Sequence, residues 1–246
     1  MGDIDNAVGS LDAIVIGAGI TGIHQLHRLL EAGLTARILD AGSGVGGTWH
    51  WNRYPGARFD SESYTYGYFF SRDLFDEWDW KEHFAAQPET EAYLTFAVDR
   101  LGLRPHIQLD TVVTELRFDE CTDTWTVVTA GGERRQARFV IAATGLLSAP
   151  YIPDLPGRDN FGGEAHHTGL WPHEPVGLAG KRVAVVGAGA SAVQIVPVIA
   201  PEVASLTVYQ RTANWCTPLN NRPITAEEQA DIKTRFDELY RACHST

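Results

Sequence analysis

Two short glycine patterns carry most of the chemistry that this sequence can offer. Gly17-Ala18-Gly19-Ile20-Thr21-Gly22 follows the apolar run Ala13-Ile14-Val15-Ile16, and Gly187-Ala188-Gly189-Ala190-Ser191-Ala192 follows Val183-Ala184-Val185-Val186. A strand that turns through such a loop into a helix aims backbone N–H groups at a pyrophosphate. The first glycine permits the turn, the second admits the phosphates, and the third lets helix and strand pack closely. Twenty-three residues beyond the first glycine the first pattern reaches Asp40, and at the same distance the second reaches Gln210, followed by Arg211 and Thr212. A carboxylate at this position accepts hydrogen bonds from a bare ribose, whereas a neutral residue followed by arginine suits a 2′-phosphate. The residues therefore predict FAD at the first loop and NADPH at the second, a flavin enzyme reduced by a nicotinamide.

These loops need elements to hold them. Ile23, Leu26, Leu29 and Leu30 share one face at helical spacing and predict the helix after the first loop. Pro197 falls inside the second helix, predicting a kink, and Pro201 ends it. From Ala41 to about Tyr68 the chain is rich in glycine and aromatics and is predicted to lack regular structure. A helix is expected over Glu89–Leu101. Strands are expected over Val112–Arg117, Trp125–Thr129 and Arg134–Arg138, forming a small antiparallel meander that interrupts a parallel sheet. Phe139–Gly145 is expected to return as a separate buried strand, and an amphipathic helix is expected from Thr225 to about Cys243. The predicted fold is α/β, with two Rossmann-like dinucleotide-binding lobes, the meander inserted in the first and both sheets incomplete. Residues 1–149 read as an FAD-binding lobe, 150–180 as a linker, 181–221 as part of an NADPH-binding lobe and 222–246 as the start of a helical insertion.

Composition narrows the functional classes. The 246 residues carry a formal charge of −11, which argues against nucleic acid or an anionic membrane as the main partner. The start Met1-Gly2-Asp3-Ile4-Asp5 lacks the basic opening of a signal peptide, and no apolar run is long enough to span a bilayer. Cys121, Cys216 and Cys243 read as reduced thiols rather than as a metal site, so a cytoplasmic location without a bound metal is expected.

Two further motifs point to a family. Phe161-Gly162-Gly163-Glu164-Ala165-His166-His167-Thr168-Gly169-Leu170-Trp171-Pro172 closely resembles the fingerprint of Baeyer–Villiger monooxygenases. Gly46-Gly47-Thr48-Trp49, then Tyr54-Pro55-Gly56 and Asp60, resembles that family's second signature. Together with both loops and Ala143-Thr144-Gly145, the resemblance covers nearly the whole chain. It implies an oxidoreductase in which NADPH reduces FAD, dioxygen adds to the flavin, and the C4a-peroxyflavin converts a ketone to an ester or lactone. Flavin-containing and N-hydroxylating monooxygenases share the loops and a shorter fingerprint, so nitrogen or sulfur oxidation stays open, as does a non-catalytic nucleotide-binding fragment.

The resemblance also assigns residues. Gly17, Gly19, Gly22, Asp40, Gly47, Thr48, Trp49, Asp60 and Tyr66 are implied for FAD, and Gly187, Gly189, Ser191, Ala192, Gln194, Arg211 and Thr212 for NADPH. Asp60 is implied to contact the nicotinamide end and to position a catalytic arginine that has no counterpart in these 246 residues. A missing C-terminal portion is thus an expected partner. His167 reads either as a satisfied linker histidine or as a residue that couples domain motion to the cofactor. His166 and Trp171 read as structural anchors. Trp49, Trp51 and Tyr66 could be core or flavin contacts, and Trp78 and Trp80 read as buried rings on a surface segment.

Overall fold

The computed structural model describes residues 10–244, so the N-terminal Met1–Asp5 reading lies outside the described residues. Two compact units make up the chain, one from residues 1–51 and 94–149 and the other from residues 52–93 and 150–246.

The first unit is a six-stranded mixed sheet in the order β3-β2-β1-β6-β5-β4. Its parallel half starts with β1 (Leu11–Ile16), α1 (Ile20–Glu31) and β2 (Ala36–Leu39), and takes in the short β3 (Ile107–Gln108). Ile14, Val15, Ile23, Leu26, Ile38 and Leu39 are fully buried, as the apolar spacing of strand and helix requires. A four-residue helix α2 (Thr48–Trp51) lies in the stretch expected to lack regular structure.

The antiparallel half consists of β4 (Val113–Asp119), β5 (Thr124–Thr129) and β6 (Arg134–Ala142). Here the structure corrects the sequence reading. The meander does not interrupt the parallel sheet, because its third strand and the expected return strand are one continuous β6. Residues 134–137 of β6 pair antiparallel with β5, and Ala137–Ala142 pair parallel with β1 from Leu11 to Ile16. Nor is this strand buried on both faces: Phe139 is half exposed.

In the second unit β7 (Arg182–Val186) and β8 (Ser205–Tyr209) form a two-stranded parallel sheet flanking α6 (Ala190–Ile199). The helix runs through Pro197 to Ile199; the Val193 carbonyl that loses its intrahelical donor belongs to a residue open to water. Also here are α3 (Ser63–Tyr66), α4 (Arg72–Glu77) and the first half of α5 (Gln87–Arg100), whose second half belongs to the first unit. The Trp78, Trp80 and Tyr93 rings meet edge-on or tilted at 5.0–5.8 Å.

The expected C-terminal helix is two helices, α7 (Ala226–Thr234) and α8 (Phe236–His244), separated at Arg235. A full capping box starts α7, with the Thr225 hydroxyl accepting from Glu228 N–H and the Glu228 carboxylate accepting from Thr225 N–H. Phe236 then meets Phe69 and Phe75 at 5.6 and 5.0 Å, which places the second helix against the aromatic segment around α4.

Candidate functional site

The two glycine loops have nearly the same backbone. Gly17 and Gly187 have φ of +109° and +112°, a conformation that only glycine adopts without strain. Gly19 and Gly189 begin α1 and α6 with φ/ψ of −79°/−175° and −78°/−175°. Gly17 N–H donates to Leu39 O at 2.9 Å, and Gly187 N–H donates to Tyr209 O at 2.8 Å. The strand pairing Ile16 with Leu39 recurs as Val186 with Tyr209. The equal 23-residue counts in the sequence thus correspond to equal strand registers.

Neither helix has a side-chain cap at its first residue, whereas α4 and α7 are capped by Ser71 and Thr225. An uncapped helix start preceded by glycines leaves first-turn donors for a ligand oxygen. In the first loop Gly17 and Gly22 are also sterically required. A Cβ at Gly17 would lie 2.5 Å from Ala143 O, and one at Gly22 would lie 1.8 Å from Gly17 O. One at Gly47 would lie 2.7 Å from Gly19 Cα, so Gly47 closes on the loop from the side of α2. Thr48 and Trp49 follow it in α2, with the Trp49 ring buried. At Gly187 and Gly189 nothing lies within 4 Å of an added Cβ, and Val186 and Tyr209 are largely exposed. Beside β1 stands β6, which Ala143 directly follows; beside β7, among the described residues, only β8 is paired.

Asp40 does more than end β2. Its carboxylate is buried; one oxygen accepts from Ala18 N–H in the first loop and the other from Gly42 N–H at 2.6 Å. A carboxylate has about four acceptor positions, so two remain after these bonds. The segment it braces packs on His50, since a Cβ at Gly44 would lie 2.8 Å from the imidazole. His50 went unread in the sequence, where nothing local marks a histidine that fills the space under two glycines.

In the second unit, Ser191 and Ala192 lie in the first turn of α6 and are partly exposed. Arg211 and Thr212 follow β8 and are exposed. Arg211 forms no ion pair among the described residues, which leaves its guanidinium available. Gln194 is different: its amide is engaged by Tyr54 and by the backbone of Arg58. Asp60 is exposed on the loop just past Arg58, and Tyr66 stacks flat on Phe59 at 4.2 Å. Both belong to the second unit, whereas Gly17, Gly19, Gly22, Asp40, Gly47, Thr48 and Trp49 belong to the first.

The fingerprint residues also resolve into local jobs. A Cβ at Gly163 would lie 2.7 Å from the Phe161 ring, so that ring lies over the glycine. His167 starts the 3₁₀ turn Thr168–Leu170, its Nδ1 accepting from Gly169 N–H at 3.1 Å. A ring nitrogen that accepts carries no proton, so this contact leaves Nε2 as the nitrogen that bears hydrogen. His166 packs on Trp171 at 5.5 Å. Trp171 in turn packs against the cluster of Tyr54, Ala57, Ile195 and Ile199. Trp171 of the one signature and the Tyr54-Pro55-Gly56 part of the other, far apart in the chain, therefore converge on α6, the helix of the second glycine loop.

Comparison with known proteins gives these features a context. The family described as pyridine nucleotide-disulphide oxidoreductase matches residues 14–245. An acetone monooxygenase (methyl acetate-forming) from Gordonia sp. (strain TY-5) is 47% identical over 230 residues, covering 94% of this chain and 43% of that protein. A phenazine N-monooxygenase from Lysobacter antibioticus is 44% identical over 238 residues, covering 96% and 44%. A crystal structure described as OTEMO in complex with FAD and NADP superimposes with a TM-score of 0.90 at 45% identity, covering 94% of this chain and 44% of that one. The chain spans less than half the length of these relatives.

Proposed function

The chain belongs to the pyridine nucleotide-disulphide oxidoreductase family, and from that premise we propose that it is the dinucleotide-binding portion of an FAD-containing, NADPH-dependent Baeyer–Villiger monooxygenase. The observation that carries this reading is the pair of uncapped glycine loops, alike in backbone and register, of which one ends in Asp40 and the other in Gln210-Arg211. The residues present fit the two dinucleotides: glycines keep both loops clear of side chains, and neither helix start is capped by the protein itself.

In this reading Gly17, Gly19, Gly22 and Gly47 shape the pyrophosphate cradle of FAD, with Thr48 and Trp49 beside it. Asp40 accepts from the adenosine ribose while fastening the loop. Gly187, Gly189, Ser191 and Ala192 form the corresponding cradle for NADPH. Arg211 and Thr212 hold its 2′-phosphate, for which the planar guanidinium offers paired donors. Asp60 supplies a carboxylate at the nicotinamide end, and His167 fixes the turn that sets Trp171 on α6. Bound FAD would supply the chemistry with dioxygen; the protein's own work is binding, orientation and electrostatics. The substrate class is a small ketone, and three exposed free thiols fit the reducing cytoplasm.

A second reading, oxidation at nitrogen, is favoured by one observation: the relative named for N-oxidation is 44% identical over nearly the whole chain. Product analysis separates the two. The chain in its longer natural context, given FAD, NADPH, a cyclic ketone and a heteroaromatic amine, should yield lactone with matched NADPH consumption. N-oxide without lactone would replace the first reading by the second.

A further inference from the structure

The segment Tyr54-Pro55-Gly56-Ala57 is a type II turn: Ala57 N–H donates to Tyr54 O at 3.0 Å, proline stands second, and Gly56 stands third with φ of +82°. The turn lies against α6 within the second unit. A Cβ at Gly56 would sit 2.5 Å from Gln194 O and 2.8 Å from Val198 Cγ2, so glycine is required there both by its conformation and by the approach of the helix. From this face of α6 the Gln194 amide reaches the turn. Its Oε1 accepts from the Tyr54 hydroxyl at 2.7 Å and from Arg58 N–H at 3.4 Å, and its Nε2 donates to Arg58 O at 2.8 Å. One side chain thus answers both polar groups of a backbone residue, as a neighbouring strand would. The Arg58 guanidinium is held independently, donating to Glu82 Oε2 at 3.3 Å and to Phe84 O at 3.2 Å.

We propose that Gln194 is a positioning residue, which couples the second glycine loop to the segment that presents Asp60. The proposal rests on the assignment of that loop to NADPH. Gln194 lies one helical turn beyond Ser191, and Asp60 lies two residues beyond Arg58. A shift of α6 along its axis therefore carries the Asp60 segment with it. This also gives the Tyr-Pro-Gly signature a physical reason: it is a glycine-dependent turn shaped to receive a helix.

Two measurements on this chain test the coupling. The first is amide hydrogen exchange, followed in peptides covering residues 56–62 and 187–194, for the unsubstituted chain, Gln194→Leu, Tyr54→Phe and the double variant. Each single variant should speed exchange in both peptides, and the double variant should exceed Gln194→Leu by little, because the two groups act as one unit. Faster exchange confined to 187–194 for Gln194→Leu, or to 56–62 for Tyr54→Phe, or effects that add, would overturn the proposal. Tyr54→Phe removes one hydroxyl only, so it keeps the test alive should Gln194→Leu fail to fold. The second is calorimetric titration with NADP⁺. Tyr54→Phe, whose ring is buried, should weaken binding about fivefold, the scale of one hydrogen bond. Weakening by Gln194→Leu alone, with Tyr54→Phe unchanged, would make Gln194 a direct contact and overturn the positioning role. If the unsubstituted chain took up no NADP⁺, the cofactor assignment would fall, and the exchange result would still decide the coupling.

Discussion

At the scale of residues, two positions near the first loop carry consequences that stability measurements can reach. Asp40 satisfies the N–H groups of Ala18 and Gly42 while buried. Asp40→Ala strands both donors and should lower the unfolding free energy by about 1–3 kcal/mol, read as a shift in the urea midpoint at unchanged slope. An unchanged midpoint would mean that water replaces the carboxylate without cost. Gly22 has no room for a methyl, because the carbonyl of Gly17 lies 1.8 Å from where its Cβ would be. Gly22→Ala should therefore destabilise by about 1–3 kcal/mol, although alanine is the better helix former. Ala192 at the matching place in the second loop shows that the demand belongs to the first loop alone. These glycines and Asp40 were legible from spacing, since 23 residues is a register that strand, loop, helix and strand impose. His50 under Gly44 and the amide of Gln194 on Tyr54 were not, because both contacts follow from packing rather than from local pattern.

Among elements, the boundaries that the sequence misplaced share one cause: the pattern is continuous where the structure changes partners, or changes where the structure is continuous. β6 is mostly polar beside β5, as Arg134-Arg135-Gln136, and apolar from Phe139 onward beside β1, so one strand reads as two. From Thr225 to Cys243 the pattern stays helical, yet the chain breaks at Arg235 so that Phe236 can reach the rings of Phe69 and Phe75. The start of α7 makes a pH-dependent prediction. The Arg222 guanidinium first, and then Thr225 N–H, hold the Glu228 carboxyl at about 2, below its ordinary 4.5. A depressed carboxyl contributes stability above its unfolded value and loses it as pH falls through the folded one. The cap should thus weaken between about pH 4.5 and about pH 2, seen as titrating amide shifts of Thr225 and Glu228. Glu228→Gln should flatten that profile, and a profile unchanged by the substitution would assign the titration to another group.

The whole molecule presents two glycine loops that its strands enclose unequally. Ala143, just past β6, closes on the first loop, while the second stands on a sheet of two strands with Val186 and Tyr209 exposed. The chain also covers only 43% of the acetone monooxygenase it resembles. These 246 residues with FAD, NADPH and a cyclic ketone should therefore consume NADPH, if at all, without forming lactone. Lactone formation at a steady rate would show that the portion suffices for catalysis. If Asp40 and Gln210-Arg211 set opposite phosphate preferences for two otherwise similar loops, one calorimetric comparison reveals it. NADP⁺ and NAD⁺ are titrated into the chain and into Arg211→Ala. NADP⁺ should bind about tenfold more tightly than NAD⁺ or better, the worth of a charge-assisted hydrogen bond, and Arg211→Ala should remove this difference while leaving NAD⁺ unchanged. Equal affinities in the unsubstituted chain, or an equal loss for both nucleotides in the variant, would contradict it.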